Sequence, residues 1–374
     1  MGWKIPLFKI YWDKEDVQAV RGAIEKGMFR AIGPNIEKFE KGISGYIGTK
    51  YSTIFNSGTS ALHAALLAHG VGNGDEVIVP SFTFIATANA PLFVGAKPVF
   101  VDIEEDTYGM DPEDVKEKIT KKTRVIIPVH YGGSPCLIHE LRGIAKDNGL
   151  ILIEDAAEAF GAMVQGKKVG TFCDAGVLSF CSNKVITTGE GGAVLTNSKE
   201  ICEKLKLIRS HGRLESGDYF TSPEYMDYVD LGYNLRMSNI TAALGIAQLK
   251  KVDKIINMRR KNAEYLTKKL SVVDEIIPPS APKDYFHVYQ MYTIRLKRGS
   301  RDGLSKHLTR RGIAAKVFFH PAHLTHFYRK KLGYGVKLPV TEEISKHVLT
   351  LPMYPSLTRG EMDYIARVVE TFFR

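Results

Sequence analysis

From about residue 50 the chain alternates between two kinds of hydrophobic pattern. Short apolar, β-branched runs occupy residues 76–80, 98–102, 124–130, 150–154, 175–180 and 192–196. Between them, stretches of helical periodicity cover residues 60–69, 111–119, 138–148 and 199–210. Continuous apolar runs suit strands buried on both faces, and their alternation with helices predicts a mainly parallel, doubly wound sheet. Ligands gather at the carboxyl ends of the strands in such sheets. After about residue 240 the pattern changes to a long helical segment over 239–270, a proline-bearing loop (Pro278-Pro-Ser-Ala-Pro282) and a shorter α+β stretch. The expected architecture is α/β. A large domain over residues 1–250 holds a mainly parallel sheet flanked by helices, and a smaller C-terminal α+β domain spans 251–374.

Composition narrows the function class. The 374 residues are 44% hydrophobic and 25% charged, the balance of an ordinary globular protein. The longest uncharged stretch, 77–96, contains Pro80 and Pro91 and reads as strand, loop and buried helix, not a membrane span. No apolar leader precedes the charges at Lys9, Asp13 and Lys14, so the expected location is the cytoplasm. Cys136, Cys173, Cys181 and Cys202 have neither CxxC spacing nor nearby paired histidines, and no metal or disulfide framework is expected. The net charge of +10 is spread over short clusters such as Lys250-Lys251 and Arg310-Arg311. Nucleic acid would call for a concentrated basic stripe; an anionic small substrate suits this distribution.

The candidate chemistry centres on Leu178-Ser-Phe-Cys-Ser-Asn-Lys-Val-Ile-Thr-Thr-Gly-Glu-Gly-Gly192. Here an apolar strand ends in a polar turn holding one lysine, Lys184, before a glycine-rich bend and a second strand. A lysine fixed there is well placed to form an imine with an aldehyde cofactor, although an ordinary surface lysine has the same pattern. Asn56-Ser-Gly-Thr-Ser-Ala-Leu62 opens directly into an apolar helix. Its backbone N–H groups and hydroxyls, those of Gly58, Thr59 and Ser60 among them, form either a phosphate cradle or a simple cap. Asp155 ends the run at 150–154, where its carboxylate is suited to a pyridinium nitrogen or to a helix N-cap. Phe84 in Ser81-Phe-Thr-Phe84 is a stacking ring or a core residue, and Ser179 adds a further hydroxyl for phosphate. In chain order these are the parts of a pyridoxal phosphate site.

The same segments continue in Gly95-Ala-Lys-Pro-Val-Phe-Val-Asp102, Pro128-Val-His-Tyr-Gly132, Glu154-Asp-Ala-Ala-Glu-Ala159, Gly232-Tyr-Asn-Leu-Arg-Met237 and Leu351-Pro-Met-Tyr-Pro355. On these the chain resembles the DegT/DnrJ/EryC1/StrS sugar aminotransferases, a fold type I pyridoxal phosphate family, over nearly its whole length. The resemblance implies that Lys184 holds pyridoxal 5'-phosphate covalently, Asp155 pairs with the ring nitrogen and Phe84 stacks on the ring. It implies that Gly58, Thr59 and Ser179 hold the phosphate and that Asn234 reaches the phosphate of a neighbouring subunit, making a homodimer with shared active sites. Arg236 is implied to meet an anionic substrate group and His323 to touch the sugar. Glu158, near the cofactor's phenolic oxygen, stands where many relatives carry His or Gln, and resembles the branch making perosamine-like 4-amino sugars. Two departures concern the sugar pocket: the proline usual a few residues after Ile5-Pro-Leu7 is missing, and Phe29 stands where Trp is common. Retention of Lys184 favours transamination over dehydration. The expected reaction moves an amino group from L-glutamate to a nucleotide-linked 4-keto sugar for surface polysaccharide or glycan synthesis. The alternatives are a 3-keto sugar or cyclitol substrate, a dehydratase, or a non-enzymatic regulatory protein.

Overall fold

A computed structural model of the chain describes residues 2–27, 30–214, 223 and 225–374. Phe29 lies outside the described residues. The first part runs α1 (Lys14–Glu25), α2 (Pro34–Ile47), β1 (Tyr51–Phe55), α3 (Gly58–Ala68), β2 (Glu76–Pro80), α4 (Ile85–Phe93), β3 (Lys97–Val101) and α5 (Pro112–Lys118). It continues through β4 (Thr123–Ile126), α6 (Ile138–Asp147), β5 (Ile151–Asp155), the short β6 (Met163–Val164) and β7 (Lys167–Lys168), β8 (Ala175–Ser179), β9 (Gly192–Thr196) and α7 (Lys199–Arg209). The rest comprises α8 (Asn239–Leu249), α9 (Val252–Leu270), β10 (Ile276–Ile277), β11 (Tyr285–Phe286), β12 (Tyr292–Leu296), α10 (Arg301–Arg310), α11 (Pro339–His347), β13 (Val348–Leu351) and α12 (Arg359–Phe373).

Seven strands form the main sheet in the order β1-β9-β8-β5-β4-β2-β3. Each step from β8 to β3 is parallel, whereas β9 runs antiparallel to both β1 and β8. Two antiparallel steps leave β1 pointing the same way as β8, so six of the seven strands end at one edge. Alternate residues face opposite layers, as the pleat requires. Ile54, Ile78, Leu152 and Leu178 enter a core with Phe39 and Ile43 of α2, while Phe55, Val77, Ile153 and Val177 enter a core with α3. Helix α3 is apolar nearly all round (Ala61, Leu62, Ala64, Ala65 and Leu66 are buried), which is what a helix pressed against the sheet and α4 needs.

The expected strands and helices appear within a few residues of their predicted limits, with one correction. The helical segment over 239–270 breaks at residues 250–251 into α8 and α9. The break buries Lys251, whose Nζ reaches Asp13 Oδ1 (2.5 Å) and Asp16 Oδ2 (3.0 Å) at the start of α1. Those two carboxylates form the α1 capping box, so one ammonium ties the helix break to the N-terminal segment.

A second core gathers around the three-stranded sheet β10-β12-β13 with α9, α10 and α12. Ile5 belongs to it, bridging to Ile313, while Ala322, Tyr328 and Leu338 pack into the main-sheet core beside α3. The chain therefore crosses between the two cores more than once. Among the described residues no helix is long and apolar enough to cross a membrane.

Candidate active site

At the shared strand edge, β1 runs through Asn56 and Ser57 into α3. Ser57 is the N-cap, its Oγ accepting from Ser60 N at 3.0 Å. The amides of Gly58 and Thr59, at the first two helical positions, have no intrahelical partner by geometry. Beside them lie the end of β8 and the start of β9, where Ser179 and Gly192 are cross-strand partners. A Cβ on Gly192 would fall 2.5 Å from Ser57 O and 2.6 Å from Gly58 N. One on Gly58 would fall 3.0 Å from Ser179 Cβ. Gly192 is therefore required by close backbone approach and Gly58 leaves room for the Ser179 side chain, which brings a helix N-terminus and a hydroxyl together as an anion cradle. Such an end stabilises an anion by about 0.3–2 kcal/mol.

Across the edge, β5 ends at Asp155. Its Oδ2 accepts from Thr87 Oγ1 at 2.7 Å and its Oδ1 from Ala157 N at 3.1 Å. No helix starts at Ala156, so the capping alternative falls away. Burial pushes the Asp155 carboxyl above its ordinary range, against the pull of the Thr87 hydroxyl and the Ala157 amide. No ion pair to Asp155 is present among the described residues, and a cationic ring nitrogen would complete it. Phe84 is 57% exposed at the start of α4, its ring centroid 6.1 Å from that of Phe319. It is a surface ring beside the cleft, not a core residue.

Lys184 occupies the turn between β8 and β9, its amide donating to Cys181 O at 3.0 Å. Its Nζ lies 3.5 Å from Glu158 Oε1, and both side chains are mostly buried. Glu158 Oε2 accepts from Gly132 N at 2.9 Å. Burial raises the Glu158 carboxyl, and the nearby lysine and the Gly132 amide oppose that rise. An amine, two buried carboxylates and an anion cradle thus share one strand edge, a donor set that fits a phosphorylated pyridine aldehyde.

The model of the DegT/DnrJ/EryC1/StrS aminotransferase family matches residues 11–370. The chain belongs to that family. It is 36% identical over 370 residues to a GDP-perosamine synthase of Escherichia coli O157:H7, covering 99% of this chain and 98% of that one. It superposes on S. venezuelae DesV, solved in complex with a ketimine intermediate, with a TM-score of 0.90, 31% identity and coverage of 100% and 99%. On the pyridoxal phosphate form of the sugar aminotransferase Spr1654 from Streptococcus pneumoniae the TM-score is 0.91, at 27% identity over 100% and 98% of the chains. Fold type I architecture, the pyridoxal phosphate cofactor and the aminotransferase class, all expected from the sequence, agree with this membership.

The remaining expected site residues of this family member fall in different places. Ser60 has its amide on Ser57 Oγ and its hydroxyl within reach of Ser57 Oγ (2.9 Å) and Asn56 Oδ1 (2.7 Å), so it closes the cap. Asn234 is exposed in the segment that docks on β1 through Asn56 N to Leu235 O (2.9 Å). Arg236 is half-buried two residues further on. His323 is buried, its Nδ1 2.6 Å from Ser81 Oγ and its Nε2 3.4 Å from Glu342 Oε1. Both ring nitrogens are occupied by the protein itself. Thr87, which orients Asp155, was not foreseen, nor was the buried pair His130–Glu154 (3.0 Å) behind the same strand end. Glu154 also accepts from Gly170 N (2.6 Å) and Phe172 N (2.8 Å), anchoring the β6–β7 excursion beside Asp155. The apolar spacing around Thr87 and His130 gives no local signal of either role.

Proposed function

We propose that this chain is a pyridoxal phosphate-dependent aminotransferase that moves the amino group of L-glutamate to the C4 keto carbon of a nucleotide-linked sugar. It works as a cytoplasmic homodimer with shared active sites, divided into a cofactor-binding part over 1–250 and a smaller part over 251–374. The observation that carries this reading is Lys184 Nζ held at 3.5 Å from buried Glu158, in the same cleft as a second buried carboxyl at Asp155. The E. coli relative's name supports a GDP-linked 4-keto sugar as the first substrate to try.

Bound pyridoxal phosphate supplies the electron sink that lets a Cα–H bond of the donor break. The amides of Gly58 and Thr59 and the Ser179 hydroxyl hold the phosphate, with Ser60 locking the cap behind them. Phe84 covers one ring face. Asp155, aimed by Thr87, keeps the proton on the ring nitrogen. Lys184 Nζ would hold the cofactor, and its freed amine would take a proton from the donor's Cα and give it up again as general base and acid. Glu158, pinned by Gly132, is the counter-charge to that amine before displacement. Asn234 reaches the neighbouring subunit's phosphate and Arg236 meets an anionic substrate group. His323, bonded on both sides, supports the sugar pocket through Ser81.

The test is purified protein loaded with the cofactor and given L-glutamate, then a GDP-linked 4-keto sugar. The visible band of the lysine-bound cofactor should move to the near ultraviolet with the first addition and return with the second, with release of 2-oxoglutarate and of a 4-amino sugar. Lys184→Ala should abolish both changes. Wild-type turnover by that variant would overturn the mechanism; turnover of a 3-keto sugar alone would overturn the substrate assignment.

A further inference from the structure

Gln290 lies just before β12 and is buried. Its Nε2 donates to the carbonyl of Asn183, the residue before Lys184. Among the described residues this is the hydrogen bond that ties the backbone of 182–184 to a side chain outside its own turn. The acceptor is a carbonyl, so the amide orientation is fixed: the flipped form would set oxygen against oxygen.

The segment carrying Gln290 is itself pinned. Val288 N donates to Gly133 O (3.0 Å) and Met291 N to Gly132 O (2.9 Å). A Cβ on Gly133 (φ +99°) would sit 2.8 Å from Gln290 N, so that approach also requires glycine. Gly132 is the residue whose amide holds Glu158. Behind the segment, the buried Arg259 guanidinium of α9 donates to Tyr289 O (3.2 Å), Gln290 O (3.4 Å) and Met353 O (3.1 Å). One stitched piece therefore grips both sides of the Lys184–Glu158 contact and joins them to the second core.

The other end of the amide points to function. Gln290 Oε1 is buried and has no hydrogen-bond partner among the described residues. A buried acceptor left unsatisfied is unfavourable, so for folding alone an apolar side chain of similar reach would serve better. We infer that Gln290 is a positioning residue: its amide sets Lys184 against Glu158 and makes that setting depend on how the second core is docked. This rests on the reading of Lys184 as the cofactor lysine.

Two substitutions test it in the cofactor-loaded enzyme. Gln290→Leu removes the unsatisfied oxygen but also the donor to Asn183 O, two effects that oppose each other, so thermal stability should change little. At the same time kcat should fall between about 10-fold and 100-fold, the cost of slight misplacement of a reacting group. KM for both substrates should stay within about twofold, since the lost contact acts on the chemical step. The pH midpoint of the visible band of the lysine-bound cofactor should shift. Gln290→Glu can donate to Asn183 O only while protonated, so its midpoint and rate should approach wild type at acid pH and depart from it as pH rises. The charged groups around this clamp are Lys184 and Glu158 on the cleft side, Arg259 behind it and Lys9 of the N-terminal segment, so Lys9→Met is run as a background control. Loss of stability with an unchanged band midpoint would reduce Gln290 to a structural role and overturn the inference. A Lys184→Ala protein with a normal band would instead overturn the reading of the lysine.

Discussion

Asp155→Asn should gain stability over the cofactor-free wild type as pH rises and disable the loaded enzyme. In the folded chain the Asp155 carboxyl is buried and hydrogen-bonded to a hydroxyl and an amide, and its pKa is raised from the ordinary 3.8 by that burial, although those bonds and the charges of Lys184 and His130 oppose the rise. An acid with a raised folded pKa binds more protons folded than unfolded. Stability is therefore full below the unfolded value near 3.8 and falls as pH climbs to the folded value, then stays low. Each unit of elevation is worth about 1.4 kcal/mol. The amide of asparagine carries no charge to desolvate, and its carbonyl still accepts from Thr87, although its NH2 cannot replace the oxygen that accepts from Ala157 N at any pH. The difference in melting temperature between variant and wild type should thus move in the variant's favour as pH rises from about 4 to neutral. In the loaded enzyme the loss of the ring-nitrogen partner should lower kcat by about 10²–10³-fold. The assay is a pair of cofactor-free melting curves against pH, with kcat measured alongside. A melting-temperature difference that is the same at both ends of the pH range would refute the desolvation argument, whatever happened to activity.

Gly192→Ala places a methyl group against two backbone atoms, Ser57 O and Gly58 N, which no rotamer change relieves. It should weaken cofactor binding by about 1–3 kcal/mol, read by titrating the visible band, and an unchanged affinity would mean the α3 terminus does not hold the phosphate. Glu158→Gln removes the carboxylate beside Lys184 and should lower the pH midpoint of the visible band by about one unit, as loss of a neighbouring anion disfavours the protonated form. An unchanged midpoint would show that Glu158 is protonated in the loaded enzyme.

The sheet was legible because burial on both faces writes strands as unbroken apolar runs, and the site because its parts sit where those runs end. Lys184, Asp155 and the 56–62 turn each follow a strand, so topology alone brings them to one edge. What stayed hidden is non-local. Thr87 lies on a helix between apolar neighbours, and only the fold sets its hydroxyl 2.7 Å from Asp155. Gln290 is 107 residues from the carbonyl it holds. The helix break at 250–251 was missed because its cause is a pair of acids at Asp13 and Asp16, remote in sequence. Of the two alternatives for Phe84, its exposure removes the core ring; aromatic character alone does not tell a surface beside a cleft from an interior.

The charges of the cleft explain why it would be the strained part of the protein before loading. Burial raises both Asp155 and Glu158, against the pull of Lys184 on each and of His130 on Asp155. Lys184 Nζ lies within ion-pair distance of Glu158 but not of Asp155, so the burial of Asp155 is the less compensated of the two. A cofactor with a basic ring nitrogen at Asp155 supplies the second cation where it is lacking. Its phosphate meets neutral amides at the α3 terminus, which hold an anion without adding a charge that must be buried when the site is empty. Binding energy and folding energy are then linked: the ligand raises stability with the logarithm of its concentration over its dissociation constant, and part of that gain comes through the carboxyl that burial disfavours. At one fixed cofactor concentration Asp155→Asn should accordingly shrink the cofactor-induced rise in melting temperature, since it removes the strain that the ligand relieves; an undiminished rise would show that the cofactor draws nothing from this carboxyl.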